Sequence, residues 1–432
     1  MTRPFRYLLG SPIRRVLFFL VSASILSFLY FHIPRSGGIY VTLPDDVTID
    51  DVIKGTWNYD PGPLLYLPRS CRPRNDLVFI KGLRCAAETV GAVLRRYGYR
   101  NNLSLVLPVD SRRYLGWPYP ITAADIRPSS RGYNLLVERA VYNGTFMRRL
   151  MNPGTAFVTM IREPLDQFIS ILSAFNVLEL ANVSAKQGLG PVQAYLRDIH
   201  RYESAYKSRA AAPKRLCIPD GFSVTKNLLS HGLDMPLGFP AGREDITDDF
   251  DAVENYIKSL DSEFALVMIM EYFEESLVLL RRLMCWDTKD ILFHSRNLGG
   301  YRGNASWHVL TRHDRDLHRN WSRVDYLLYD HFNRTFWSKV RRQGEDFAEE
   351  VSYFLRVQSQ VTWFCRSVTP YGDGYIRFPE SVWSPAYTFS SEECRLMEAP
   401  LLEKLKEQYD RQESKYANFS ALPAPRKFVP LC

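Results

Sequence analysis

The sequence predicts an α/β fold, a mostly parallel sheet flanked by helices. Three short apolar runs, Leu77 to Ile80, Ala156 to Ile161 and Phe264 to Ile269, have the length and unbroken hydrophobicity of strands buried on both faces. Each is followed by apolar residues at helical spacing: Val90, Val93 and Leu94 after the first, the stretch from Pro164 after the second, and Leu277, Leu280, Leu283 and Met284 after the third. Parallel neighbours need a crossover, so this alternation points to a parallel sheet whose ligands gather beyond the carboxyl ends of its strands. The loops after the first two runs are basic, and both fall at that edge.

Composition bounds the rest. The chain has 432 residues, 46% hydrophobic and 24% charged, which fits one sizeable globular unit with appendages and excludes a disordered chain. Its net charge of +8 is spread without a long Lys/Arg run or nucleic-acid motif, so nucleic acid is not an expected partner. An anionic ligand or membrane uses the same charge. The cysteines show no zinc spacing, and no metal is expected.

In chain order, residues 1–15 carry Arg3, Arg6, Arg14 and Arg15 and read as a cytoplasmic tail. Residues 16–33 hold no acidic residue, lysine or arginine, and about 18 residues nearly match a bilayer core, so they are expected to be a transmembrane signal anchor. The span is long for a cleavable signal peptide and lacks a clear cleavage site. Residues 34–74, with Pro34, Pro44, Pro61, Pro63, Pro68 and Pro73, read as a stem, and 75–432 as the luminal domain. Sequons at Asn102, Asn143, Asn182, Asn304, Asn320, Asn333 and Asn418 agree with a luminal glycoprotein. Seven cysteines allow up to three disulfides of unread pairing; Cys85 is expected to be a small buried residue.

The loop after the first strand carries Lys81, Gly82 and Arg84 and leads into a helix at Thr89. A strand, a loop and a helix N-terminus aim backbone N–H groups and the positive end of the helix dipole at one small volume, which favours an anion. Lys81, Arg84 and Thr89 add charge and a hydroxyl, much as a P-loop does, although the Walker pattern is absent. At the second loop Arg162 ends its strand and Ser170 follows about two helical turns on, where both could grip one phosphate.

The two loops together resemble the paired cofactor loops of Golgi carbohydrate sulfotransferases, and within them the galactose 3-O-sulfotransferase family, which includes galactosylceramide sulfotransferase. The family's first loop commonly reads Phe-x-Lys-Thr-His-Lys-x-x-Ser-Ser-Thr; here Phe79 to Thr89 reads Phe-Ile-Lys-Gly-Leu-Arg-Cys-Ala-Ala-Glu-Thr, followed by Arg96-Tyr97-Gly98. Further blocks in family order are Tyr114 to Tyr119, Ala265 to Leu280 and Leu327 to Trp337, so the likeness covers roughly residues 75–365. It implies a P-loop-like sulfotransferase fold, with 3′-phosphoadenylyl sulfate (PAPS) as sulfate donor. Lys81, Arg84 and Thr89 would hold the 5′-phosphosulfate, with Lys81 as the catalytic cation, and Arg162 and Ser170 the 3′-phosphate. The acceptor would be the 3-hydroxyl of galactose on a galactosylceramide-like glycolipid or a glycan, in the Golgi membrane as a single-pass type II protein, with a homodimer as an allowed assembly.

The departures define an alternative. Leu83 stands where the family has the loop histidine, Glu88 where it has a serine, and a histidine-rich patch corresponds to Val137-Glu138-Arg139, which has none. Sulfuryl transfer to a sugar hydroxyl calls for a base, a role that suits histidine. Glu88 and Glu138 are carboxylates that could replace it. The alternative is a catalytically inactive member acting as a Golgi binding or assembly protein.

Weaker candidates remain along the chain. Ser104 to Leu107 suits a further strand, and Tyr114 to Tyr119 an aromatic loop in which Trp117 or Tyr119 packs in the core or stacks on a sugar. Lys207, Arg209, Lys214 and Arg215 form a basic patch, and Lys226-Asn227 resembles a position near the cofactor's nucleotide end. Glu271 and Tyr272 end the third strand. Arg296 to Arg302 could cover a nucleotide, and His331 sits on an amphipathic helix. Leu401 to Gln412 reads as a charged, solvated helix.

Overall fold

The structure is a computed structural model that describes residues 71–109, 113–184, 189–208, 221–294, 310–368 and 372–413. The expected anchor at 16–33, the stem up to residue 70, the Arg296 to Arg302 loop, and Asn304 and Asn418 lie outside the described residues. Among the described residues no helix is long and apolar enough to cross a membrane.

The elements run β1 (Leu77–Lys81), α1 (Ala87–Arg100), β2 (Tyr114–Pro120), β3 (Leu135–Leu136), β4 (Arg139–Val141), α2 (Gly144–Leu150), β5 (Ala156–Ile161) and α3 (Pro164–Ala174). Four short helices follow, α4 (Val177–Leu180), α5 (Pro191–Arg197), α6 (Ile199–Ser208) and α7 (Leu228–Gly232). Then come α8 (Phe250–Glu263), β6 (Leu266–Ile269), α9 (Phe273–Met284), α10 (Arg312–Trp321), α11 (Arg323–Arg341) and α12 (Asp346–Ser367). A hairpin of β7 (Tyr375–Phe378) and β8 (Tyr387–Ser390) precedes α13 (Ser391–Glu398) and α14 (Leu401–Glu413).

The main sheet is wholly parallel, in the order β3-β1-β5-β6. Every residue of β1, β5 and β6 is buried, which is why each reads as an unbroken apolar run. Leu77 pairs with Ala156 and Lys81 with Met160, so β1 and β5 end level. Level ends put the two basic loops side by side.

Three expectations change. Ser104 to Leu107 forms no strand: Leu105 makes one parallel bridge to Leu135 and Val106 N–H donates to the Leu135 carbonyl at 2.8 Å. Tyr114 to Tyr119 is a strand rather than a loop, pairing in parallel with β4 through an irregular register around Gly116. Pro118 and Pro120 lack N–H donors, so the pairing is discontinuous and its sequence signature weak. Finally, α14 is no solvated rod: Leu401, Leu402, Leu405 and Tyr409 are buried against the domain.

The periphery is tied down covalently and by buried pairs. Cys71 joins Cys285 just past α9, and Cys365 at the end of α12 joins Cys394 in α13. Arg281 of α9 donates from Nε to Glu350 of α12 at 2.6 Å inside the core. Tyr97 at the end of α1 stacks on the buried Trp286 with ring centroids 4.0 Å apart.

Candidate anion site at the carboxyl edge of the sheet

The first loop is shaped by close approach. A Cβ on Gly82 would lie 2.4 Å from the Met160 carbonyl oxygen of the neighbouring strand, so only glycine lets the chain turn there. Arg84 and Ala86 then adopt left-handed backbone conformations, with φ of 60° and 51°. Ala86 is the N-cap of α1 and offers no side chain to its amides. At the second loop the Glu163 carboxylate caps α3 by accepting from Asp166 N–H at 2.7 Å. The N-terminus of α1 therefore keeps its field for an anion, and that of α3 is already served by its own carboxylate.

Four of the five expected site residues converge around that N-terminus. Arg84 Nε donates to Ser170 Oγ at 2.9 Å, linking the loop after β1 to the middle of α3. Arg162 is buried and donates from Nη1 to the Arg84 carbonyl at 3.3 Å. Gln167, which the sequence reasoning missed, donates from Nε2 to the Leu83 carbonyl at 2.7 Å and braces the same loop. Thr89 is 3% exposed, and its Oγ1 makes no hydrogen bond. A buried hydroxyl without a partner is uncommon and costly, so this one suits a ligand oxygen.

Lys81 is placed differently. It is buried and runs beside α1, where a Cβ on Gly91 would lie 2.7 Å from its Cε. Its ammonium is 2.6 Å from Glu88 Oε2 and 3.5 Å from Glu138 Oε2. Arg95 completes the cluster, donating from Nε to Glu138 at 2.6 Å and reaching Glu88 at 3.2 Å. Burial lowers the Lys81 pKa below the usual lysine range, against the pull of Glu138 and Glu88. Partial desolvation also opposes ionisation of Glu88, whose side chain is still 60% exposed, but Lys81 and Arg95 outweigh it and hold that carboxyl at about 2. The extra acid in the first turn of α1 is thus turned onto Lys81.

Two cavities open here. One of about 260 Å³ is bounded by Gly82, Leu83, Arg84, Trp117 and the end of α3. The other, about 290 Å³, is bounded by Lys81, Arg95, Glu138 and the start of α14. Glu88, Tyr114 and Arg139 line both, with the Arg139 guanidinium 6.0 Å from the Tyr114 ring centroid.

The remaining candidates among the described residues have structural partners; Arg209, Lys214 and Arg215 of the basic patch lie outside them. Trp117 belongs to the hydrophobic core and meets Phe222 edge-on at 5.7 Å, although one face borders the first cavity. Asn227 precedes α7, whose Leu229 and Ser230 N–H groups donate to the buried Asp325 at 3.1 and 2.8 Å. Glu271 accepts from Glu163 N–H and from Tyr329 Oη. His331 Nε2 lies 3.3 Å from Asp261 Oδ2. Cys85 is buried and free, and burial pushes its thiol well above the usual range. Lys207 pairs with Glu203 at 3.6 Å. Among the described residues no group of His, Cys, Asp and Glu could hold a metal ion.

A parallel α/β sheet with two basic loops at its carboxyl edge belongs to the class of folds whose ligands gather at that edge. The comparisons narrow the class. The galactose-3-O-sulfotransferase family model matches residues 60–367, and the chain belongs to that family. It is 32% identical over 305 residues to human galactose-3-O-sulfotransferase 3 (Homo sapiens), covering 68% of this chain and 65% of that protein. Galactosylceramide sulfotransferase of Mus musculus is 29% identical over 304 residues, with the same 68% and 65% coverage. Galactose-3-O-sulfotransferase 2 of Sus scrofa is 27% identical over 290 residues, covering 65% of this chain and 66% of that protein. The chain thus spans about two thirds of the length of these relatives, 65% for the first two.

Proposed function

We propose that the protein is a PAPS-dependent sulfotransferase acting on the 3-hydroxyl of a terminal galactose, on a glycolipid or a glycan. The observation that carries this reading is the junction of Arg84, Arg162, Ser170 and the unpartnered Thr89 hydroxyl around the uncapped start of α1. These residues suit two phosphate-type groups. Thr89, Arg84 and the α1 amides would hold the 5′-phosphosulfate, and Arg162 with Ser170 the 3′-phosphate. When bound, the cofactor supplies the activated sulfuryl group. The protein would position it and stabilise charge developing on the leaving oxygen, with Lys81 as the candidate cation. The apolar segment at 16–33 and the sequons support a Golgi type II membrane protein with this domain in the lumen.

One observation favours a second reading, a catalytically silent relative that binds or assembles with other Golgi proteins. The Lys81 ammonium lies between two carboxylates, so much of its charge is already answered, and Leu83 cannot act as a base. Incubating the full chain with labelled PAPS and a panel of β-galactosides decides between the two. Label at the galactose 3-position supports the enzyme; PAPS binding without transfer to any galactoside supports the silent relative.

A further inference from the structure

Among the described residues, Arg139 is the only cation that lines both cavities at the start of α1. It opens β4, where it pairs with Tyr114 of β2, and its guanidinium stands 6.0 Å from the Tyr114 ring centroid. A guanidinium over a ring uses its flat face and keeps its N–H edge for another partner. That edge is little used. Nη1 reaches the Lys81 carbonyl at 3.5 Å, the outer limit of a hydrogen bond. Among the described residues no carboxylate forms a salt bridge with Arg139; the two on this side, Glu88 and Glu138, are engaged by Lys81 and Arg95. Burial lowers the Arg139 pKa from the usual arginine range, yet a guanidinium stays charged near neutral pH. A charge partly stripped of water and without a counter-ion is costly, and it suits an anionic ligand.

We propose that Arg139 grips the sulfonate end of the donor in the first cavity. The inference rests on the sulfotransferase reading and deepens it with a specificity-determining residue, a guanidinium that tells the sulfated nucleotide from the desulfated one. The charged lining of that cavity is Arg84, Glu88 and Arg139. Glu88 is turned onto Lys81 and Arg95. Arg84 is fastened to Ser170 on the side of α3, so it serves the phosphate end. In the sheet β5 lies on one side of β1, and β3, which leads into β4, on the other. Arg139 therefore reaches the loop from the side away from Arg84 and Ser170. A ligand with an anionic group at each end, seated at the start of α1, would meet a guanidinium at both. The fork of Arg139 can donate to two oxygens of a sulfonate at once. Lys81, set between Glu88 and Glu138, has less charge to offer.

Calorimetric titration of PAPS, and of its desulfated form PAP, into the full chain without any acceptor isolates this contact, because the two nucleotides differ by the sulfonate. Arg139→Gln removes the charge, and Arg139→Lys keeps the charge without the fork; thermal unfolding monitors folding. The expected result is PAPS affinity lower by about 10- to 100-fold in Arg139→Gln and by less in Arg139→Lys, with PAP affinity held within about threefold in both. Where Arg139→Gln does not fold, Arg139→Lys carries the same comparison, with PAPS weakened and PAP unchanged. PAPS and PAP affinities that fall together, or that both stay unchanged, overturn the assignment and leave the sulfotransferase reading standing. No binding of either nucleotide by the folded, unmodified protein overturns both.

Discussion

Arg84 and Ser170 meet at 2.9 Å, and this one hydrogen bond joins the loop after β1 to the helix after β5. Because β1 and β5 end level, the two basic loops lie side by side and would act as one cradle for an anion. Ser170→Ala removes the link and one candidate ligand to the 3′-phosphate while leaving the buried strands untouched. A hydrogen bond to a charged group contributes about 1.5–3 kcal/mol, so PAP affinity is expected to fall about 10- to 100-fold, with little change in the urea midpoint. Calorimetry and urea titration on the same preparation check both parts.

Thr89 separates binding from stability more sharply. Its hydroxyl is buried and makes no hydrogen bond, so Thr89→Val, which keeps the shape, should leave stability unchanged or raise it slightly. PAP binding should weaken about tenfold or more. A variant that loses stability instead would show that the hydroxyl serves the fold.

The cluster of Lys81, Glu88, Arg95 and Glu138 predicts a large structural effect. Glu138 is buried and answers both Lys81 and Arg95. Breaking a buried pair from one side costs about 3–5 kcal/mol, because the partner charge stays buried. Glu138→Ala should therefore destabilise by about that amount, read from urea unfolding. Glu88→Gln should cost far less, since the Glu88 side chain is 60% exposed.

The pH profile of stability follows from opposed shifts. Burial pushes the Glu163 carboxyl up to about 7 and Asp325 up to about 6. Each folded pKa lies above its unfolded value, so the stability these groups contribute is full below about 4 and is lost as pH rises through 6 and 7. Glu138, held below its usual range, acts the other way, and its contribution is lost as pH falls below about 4.5; the exposed Glu88 carboxylate adds little because solvent screens it. The buried His231 and His318, held at about 4 and about 3, also lose their contribution as pH falls below about 6.5, so the Glu163 effect is read from thermal unfolding as the difference between the unmodified protein and a Glu163 variant. The decline toward pH 8 should flatten in Glu163→Gln, whose remaining carbonyl can still cap α3.

The sequence carried the sheet and the two loops because their signals are local. Strands β1, β5 and β6 are buried on both faces, and their loops hold glycine and arginine within a few residues of the strand ends. Strand β2 was hidden because two prolines and a left-handed glycine mimic a turn, and its partner β4 lies beyond β3. The lock on Lys81 was hidden for a similar reason: Glu138 arrives from the bend between β3 and β4, and no local pattern aims it at a lysine. Helix α14 was misread because its charged positions outnumber its apolar ones. Leu401, Leu405 and Tyr409 nevertheless recur every four residues, and that stripe was the available signal of a packed face.

The central claim is that the junction of the two loops binds an adenosine cofactor with two phosphate-type groups. Calorimetric titration of PAP into the full chain and into Arg162→Ala tests it most directly. The account predicts micromolar binding by the unmodified protein, weakened at least 100-fold in a variant that unfolds at a similar urea concentration. No binding by a well-folded unmodified protein, or equal affinity in the two, would contradict it.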